Sequence, residues 1–97
     1  MLTIDYNRAA KKELFDSSDY YSQQRPGLGE RFLTEVESCV QEIATSPGRH
    51  PKYFKDVCRC VMTQFPYGIY YRVEGEKIRI LAVAHSSRHP NYWKHRS

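Results

Sequence analysis

Apolar and polar positions change their period twice along this chain, and the changes divide it into strand, helix, helix and sheet. Leu2, Ile4 and Tyr6 alternate with Thr3 and Asp5, the two-residue period of a short strand. From Arg8 to Gln24 the period lengthens. Ala10, Leu14, Ser17/Ser18 and Tyr21 recur every three to four residues, one face of a helix, with Asn7 in front as its N-cap. Arg25-Pro26-Gly27 stops that helix, because proline disfavours the helical conformation at the residue before it. Phe32, Val36, Cys39, Val40 and Ile43 then form a second, stronger stripe at i, i+4, i+7, i+8 and i+11, with Glu30, Glu35, Glu37 and Glu42 largely off it. Ser46-Pro47-Gly48 ends this helix. Two helices joined by a short Pro-Gly turn predict an antiparallel hairpin.

After Pro51 the period returns to two. Val57 to Gln64, Tyr67 to Val73 and Lys77 to His85 read as three strands, the last two joined at Glu74-Gly75-Glu76, where glycine accepts positive φ cheaply. Phe65-Pro66 makes a sharp connection at a sheet edge or a bulge. Ile78, Ile80, Ala82 and Ala84 face one way and Leu81 and Val83 the other, so the last strand belongs inside the sheet. The expected fold is α+β: an N-terminal strand, then an antiparallel helical hairpin packed on a small, mainly antiparallel sheet. The order is β-α-α-β-β-β with a short C-terminal tail, in one domain spanning residues 1–97. The Phe32/Val36/Val40/Ile43 stripe covers one sheet face; the other face and the tail are left open.

Charge follows the same division. Residues 1–48 carry five basic and eight acidic side chains, a balance of −3; residues 49–97 carry ten basic and only Asp56, Glu74 and Glu76, a balance of +7. All four histidines lie in the second part. The sheet half therefore suits an anionic partner, nucleic acid or acidic protein. With 40% hydrophobic and 13% aromatic residues the chain can fill a core, which argues against long disorder. No apolar run reaches the ~18–20 residues of a membrane span. Met1-Leu2-Thr3-Ile4-Asp5 has no signal-peptide layout. Three cysteines, an odd number, argue for a reducing compartment, and a cytoplasmic protein is expected.

Candidate chemistry concentrates in the tail. His85, Arg88, His89, Tyr92, Trp93, Lys94, His95 and Arg96 combine cations, proton carriers and stacking surfaces, although Tyr92 and Trp93 also suit the closing of a small core. Arg59 alternates with Cys58 and Cys60; if the cysteines face the helices, Arg59 points to the open face, where Arg72 and Arg79 join it. Metal-free RNA cleavage needs a base, an acid and cations around the phosphorane; His85, His89, Tyr92 and His95 would supply proton transfer and Arg59, Arg79 and Arg88 charge. No metal site is expected, because Cys58-x-Cys60 lacks matching partners in the sequence. Gly27-Leu28-Gly29 has no strand before it and is turn chemistry, so no cofactor is expected either.

The same residues carry a family resemblance. Arg59 on a first strand precedes Phe65-Pro66-Tyr67-Gly68-Ile69-Tyr70-Tyr71-Arg72-Val73. Next come Ile78-Arg79-Ile80-Leu81-Ala82-Val83-Ala84-His85 and finally Arg88-His89-Pro90-Asn91-Tyr92-Trp93. This pattern, essentially end to end, resembles the RelE/ParE toxin superfamily. The resemblance implies a toxin of a type II toxin–antitoxin (plasmid stabilization) module, silenced by an antitoxin with an acidic or amphipathic C-terminal segment. ParE-like members poison DNA gyrase by protein–protein contact and cause growth arrest. RelE-like members are ribosome-dependent mRNA endonucleases, for which Arg59, Arg88, Tyr92 and His85 would be catalytic. That branch also wants lysines on one strand face, whereas Lys52 and Lys55 stand three apart, and the ParE-like branch is favoured. Arg59, Arg72, Arg79, Arg88, Trp93, Lys94 and Arg96 are then the expected antitoxin- or target-binding residues, and a non-toxic binding module is the remaining reading.

Overall fold

The helical hairpin forms where the two apolar stripes place it. In the computed structural model, which describes residues 2–97, β1 (Thr3–Tyr6) leads into α1 (Arg8–Gln24) and α2 (Leu28–Thr45). Asn7 caps α1 through its side chain, which accepts from the Ala9 and Ala10 N–H groups. At the turn Gly27 takes φ 85°, a left-handed conformation that glycine adopts without penalty. Gly29 has a different task. A Cβ there would collide with Ser22 Oγ and the Ser18 carbonyl, so the helices touch almost backbone to backbone, and the buried Ser18 hydroxyl donates to the Gly29 carbonyl at 3.3 Å.

Five strands make the sheet, in the order β1-β5-β4-β3-β2. β1 runs parallel to β5 (Lys77–His85), and every other pairing is antiparallel. β2 (Lys52–Phe54) is absent from the sequence expectation, being three residues long and on the sheet edge, too short to display a period. β3 (Val57–Val61) stops three residues earlier than expected. Thr63 and Gln64 turn instead toward α2, where the Glu35 carboxylate accepts from the Thr63 hydroxyl at 2.8 Å and from the Gln64 N–H. β4 (Tyr67–Glu74) and β5 meet at Gly75-Glu76, with Gly75 at φ 62°.

Ile78, Ile80 and Val83 join Phe32, Val36, Val40 and Ile43 in the core beneath the helices. The expected alternation along β5 fails in its middle. Tyr70 pairs with Ala82 while Tyr71 pairs with Ile80, so Leu81 is an extra residue, a β-bulge. The bulge puts Leu81 and Ala82 together with Ala84, Val57, Tyr70 and Trp93 in a second core on the far face, and returns Val83 to the helix side. Single-sequence periodicity cannot register an insertion that has a partner on another strand.

Gly29→Ala is expected to cost about 1–3 kcal/mol through overpacking of the helix crossing. Gly48→Ala, where a Cβ meets nothing within 4 Å, is expected to be near neutral. Urea unfolding midpoints of the two variants check this; equal midpoints would contradict the close approach.

Candidate interaction surface

The tail that follows β5 crosses the sheet face opposite the helices. Pro90–Tyr92 forms a single 3-10 turn, which His89 opens by accepting from the Asn91 N–H. This turn delivers Trp93 onto the sheet at 0% exposure, with its ring 4.4 Å from Tyr70 and 6.1 Å from Tyr53. Trp93, expected as a partner contact, is instead the centre of the second core. Lys94 stays outside, with Nζ 4.4 Å over the Phe54 ring.

Arg96 and Glu13 fasten the tail. β1 ends opposite Ile80, so β5 beyond that point has an unpaired edge. Glu13 on α1 accepts from the Val83 N–H at 3.1 Å, and Arg96 donates to the Leu81 carbonyl at 3.1 Å and to Glu13 at 3.0 Å. Both side chains are only 16–17% exposed. Arg96, expected on the binding surface, thus completes a strand edge. Arg79 is similarly engaged with Asp5 at 3.0 Å and with the Tyr6 and Ser97 carbonyls. Arg72 pairs with Glu74 at 2.9 Å.

Tyr92 stacks between two guanidinium groups, Arg88 at 3.9 Å and Arg96 at 5.0 Å from its ring centre. Its hydroxyl is buried with no hydrogen-bond partner in good geometry. Burial, and secondly the neighbouring Glu13 carboxylate, push the phenol up to about 12.

Of the arginines in residues 49–97, Arg59 and Arg88 have no ion-pair partner among the described residues, and both line one groove of about 300 Å³ with Tyr53, Tyr70 and Pro90. The cysteines do face the helices, and Arg59 projects the other way, its guanidinium 4.6 Å over the Tyr53 ring and its stem against Gly68. His85 turns to the helix side, where its ring lies 5.2 Å from Tyr67 and it lines a recess of about 140 Å³ with Glu13, Asp16 and Ser17. The four residues that a RelE-like reading would make catalytic are therefore divided: Arg59 and Arg88 share the groove, His85 lies on the opposite face, and the Tyr92 hydroxyl is turned into the protein. Arg88 and Tyr67 border both hollows. Tyr53 and Glu13 were not legible as site residues, the first because its strand was missed, the second because it is one acidic position among several on α1.

The family model described as ParE toxin of type II toxin-antitoxin system, parDE, matches residues 4–90. The chain belongs to the ParE toxin family. Two curated relatives, each named Toxin ParE2 and from two strains of Mycobacterium tuberculosis, are 28% identical over 86 residues, covering 88% of this chain and 82% of theirs. A solved structure titled Chromosomal ParDE TA system from P. aeruginosa shares the fold at a TM-score of 0.63 and 21% identity, over 88% of this chain and 96% of that one. Within this ParE-family chain, no helix among the described residues is long and apolar enough to cross a membrane.

The Tyr92 environment sets a pH dependence. Because the folded protein holds the phenol neutral, stability from this group is full below its unfolded value of about 10 and is lost as pH rises through about 12. Tyr92→Phe is expected to leave stability at pH 7 within about 1 kcal/mol, since the hydroxyl has no partner to lose, and to flatten the decline above pH 10. Urea midpoints across that range decide it; an unchanged alkaline slope would contradict it.

Proposed function

We propose that this chain is a growth-arresting toxin that inhibits DNA gyrase by protein–protein contact and is neutralised by a cognate antitoxin. The family match over residues 4–90 carries this reading. The groove supports the antitoxin half of it. Arg59 and Arg88 are the arginines of the sheet face without internal carboxylates, and Tyr53 and Tyr70 between them offer aromatic surface. An antitoxin segment with acidic and apolar side chains in alternation would satisfy both kinds of group at once. Lys94, half-buried with its ammonium over the Phe54 ring, extends the positive field. The division of Arg59 and Arg88 from His85 and from the Tyr92 hydroxyl favours action by contact over RNA cleavage.

Expression of the chain alone is expected to arrest growth, with loss of plasmid supercoiling while transcripts stay intact. Transcript cleavage at the ribosomal A site with normal supercoiling would overturn the gyrase reading in favour of a ribosome-dependent nuclease. Absence of arrest with the protein accumulating would leave a binding module. Arg59→Glu and Arg88→Glu should each weaken antitoxin binding about 10- to 100-fold, from loss of a charge-assisted hydrogen bond worth about 1.5–3 kcal/mol. Calorimetric titration at low and high salt measures it, with the smaller salt dependence in the variants.

A further inference from the structure

On the helix side of the sheet, remote from the groove, the fold gathers metal-ligating groups that lie far apart in sequence. Cys39 and Glu42 stand one turn apart on α2, His50 follows the Pro47–Arg49 turn, and Cys60 lies on β3. Glu42, His50 and Cys60 each offer a ligand atom, all within 4.8 Å of one another. Cys39, packed from α2 against the same core, places a second thiol beside that of Cys60, a fourth donor at the edge of this cluster. Cys58-x-Cys60 held no such partners as a sequence motif; the fold supplies them to Cys60 alone.

We propose that Cys39, Glu42, His50 and Cys60 form a binding site for a borderline-soft divalent metal ion of the zinc type. Two thiols, one imidazole and one carboxylate make a four-donor set suited to tetrahedral Zn²⁺, whereas calcium and magnesium require mainly oxygen ligands. His50 is held in place for it. Its ring lies edge-on to Tyr71 at 6.2 Å, and the Tyr71 hydroxyl donates to the Pro47 carbonyl at 2.6 Å, anchoring the turn that presents the imidazole. His50 Nε2 is buried and 2.9 Å from Glu42 Oε1, yet no acceptor or donor meets it in hydrogen-bond geometry. A buried ring nitrogen left in this way wants a partner, and a metal ion between it and the carboxylate would be one.

Metal–ligand bonds of about 2.0–2.3 Å put tetrahedral ligands roughly 3.3–3.8 Å apart, so Glu42, His50 and Cys60 must draw inward by about 1 Å and Cys39, outside their cluster, must swing further in. Glu42, long and partly exposed, supplies that movement. On binding, each thiol passes its proton to solvent and its sulfur bonds to the metal, releasing two protons per ion and leaving the metal's oxidation state unchanged. The ion would then staple the last turns of α2 and the segment after it to β3.

Cobalt titrated into the full chain under a phosphine reductant is the test. One equivalent should give the near-ultraviolet thiolate-to-cobalt band and the visible bands of tetrahedral Co²⁺, bleached by added Zn²⁺. His50→Ala and Cys60→Ala should each weaken binding at least tenfold, with folding of the buried-cysteine variant checked by circular dichroism. His50→Ala is the variant that carries the test if Cys60→Ala fails to fold. A variant lacking the tail imidazoles (His85→Ala, His89→Ala, His95→Ala) should bind as the parent does. Absence of the thiolate band, unchanged affinity in His50→Ala, or loss of binding in the tail variant would each overturn the proposal.

Discussion

In β5, Ile78, Ile80, Leu81, Ala82, Val83 and Ala84 are all buried, and they point to both faces of the sheet. A strand that is apolar on two sides must be covered twice, and each large side chain so covered contributes about 1.5–3 kcal/mol. The helical hairpin covers one face through Phe32, Val36, Val40 and Ile43; Trp93, with Tyr70 and Phe54, covers the other. The bulge at Leu81 makes both covers possible. Strict alternation would have kept Ala82 under the helices with Ile78 and Ile80 and left Val83 on the tail side with Leu81. The extra residue instead gives Ala82 and Ala84 to the tail side beside Leu81 and returns Val83 to the helix side. Beyond Ile80 the β1 side of β5 has no partner strand, and Glu13 with Arg96 provides hydrogen bonds there, at the point where the tail is tied down.

This arrangement decides which charges are free to meet a partner. The positive half of the chain offers many arginines, but Arg96 is committed to the Leu81 carbonyl and Glu13, Arg79 to Asp5 and two carbonyls, and Arg72 to Glu74. Exposed pairs such as Arg72–Glu74 contribute roughly 0–1 kcal/mol. The half-buried Glu13–Arg96 pair is different, since removing either member leaves the other desolvated beside an unpaired strand edge. What remains for recognition is Arg59 and Arg88 on either side of an aromatic groove. The tail thus shapes the surface without offering its own indole to it, and the functional proposal for this ParE-family chain rests on that narrower set.

Much of this was legible in the residues. Phe32, Val36, Val40 and Ile43 mark α2 unambiguously, and Asn7, Pro26, Gly27 and Gly75 mark the ends and turns, because local backbone chemistry acts within a few residues. The parity of Cys58, Arg59 and Cys60 placed Arg59 on the open face. Features that depend on a distant partner were hidden. The bulge at Leu81 exists only relative to Tyr70 and Tyr71. β2 forms only because β3 is beside it, and Thr63 and Gln64 leave the strand path for Glu35. In the same way, Cys60 meets Cys39, Glu42 and His50 only after the hairpin has docked. Trp93 read equally as a contact and as a plug, since its burial is set by a sheet face that sequence alone does not build.

The account turns on the tail being an integral cover of β5 and not a free recognition arm. Trp93 is the only tryptophan, so its fluorescence reports on that point alone. The structure predicts a blue-shifted emission maximum and strong protection from acrylamide, unchanged by added salt or by an acidic peptide that occupies the groove. Emission typical of water-exposed indole, with free quenching, would contradict it.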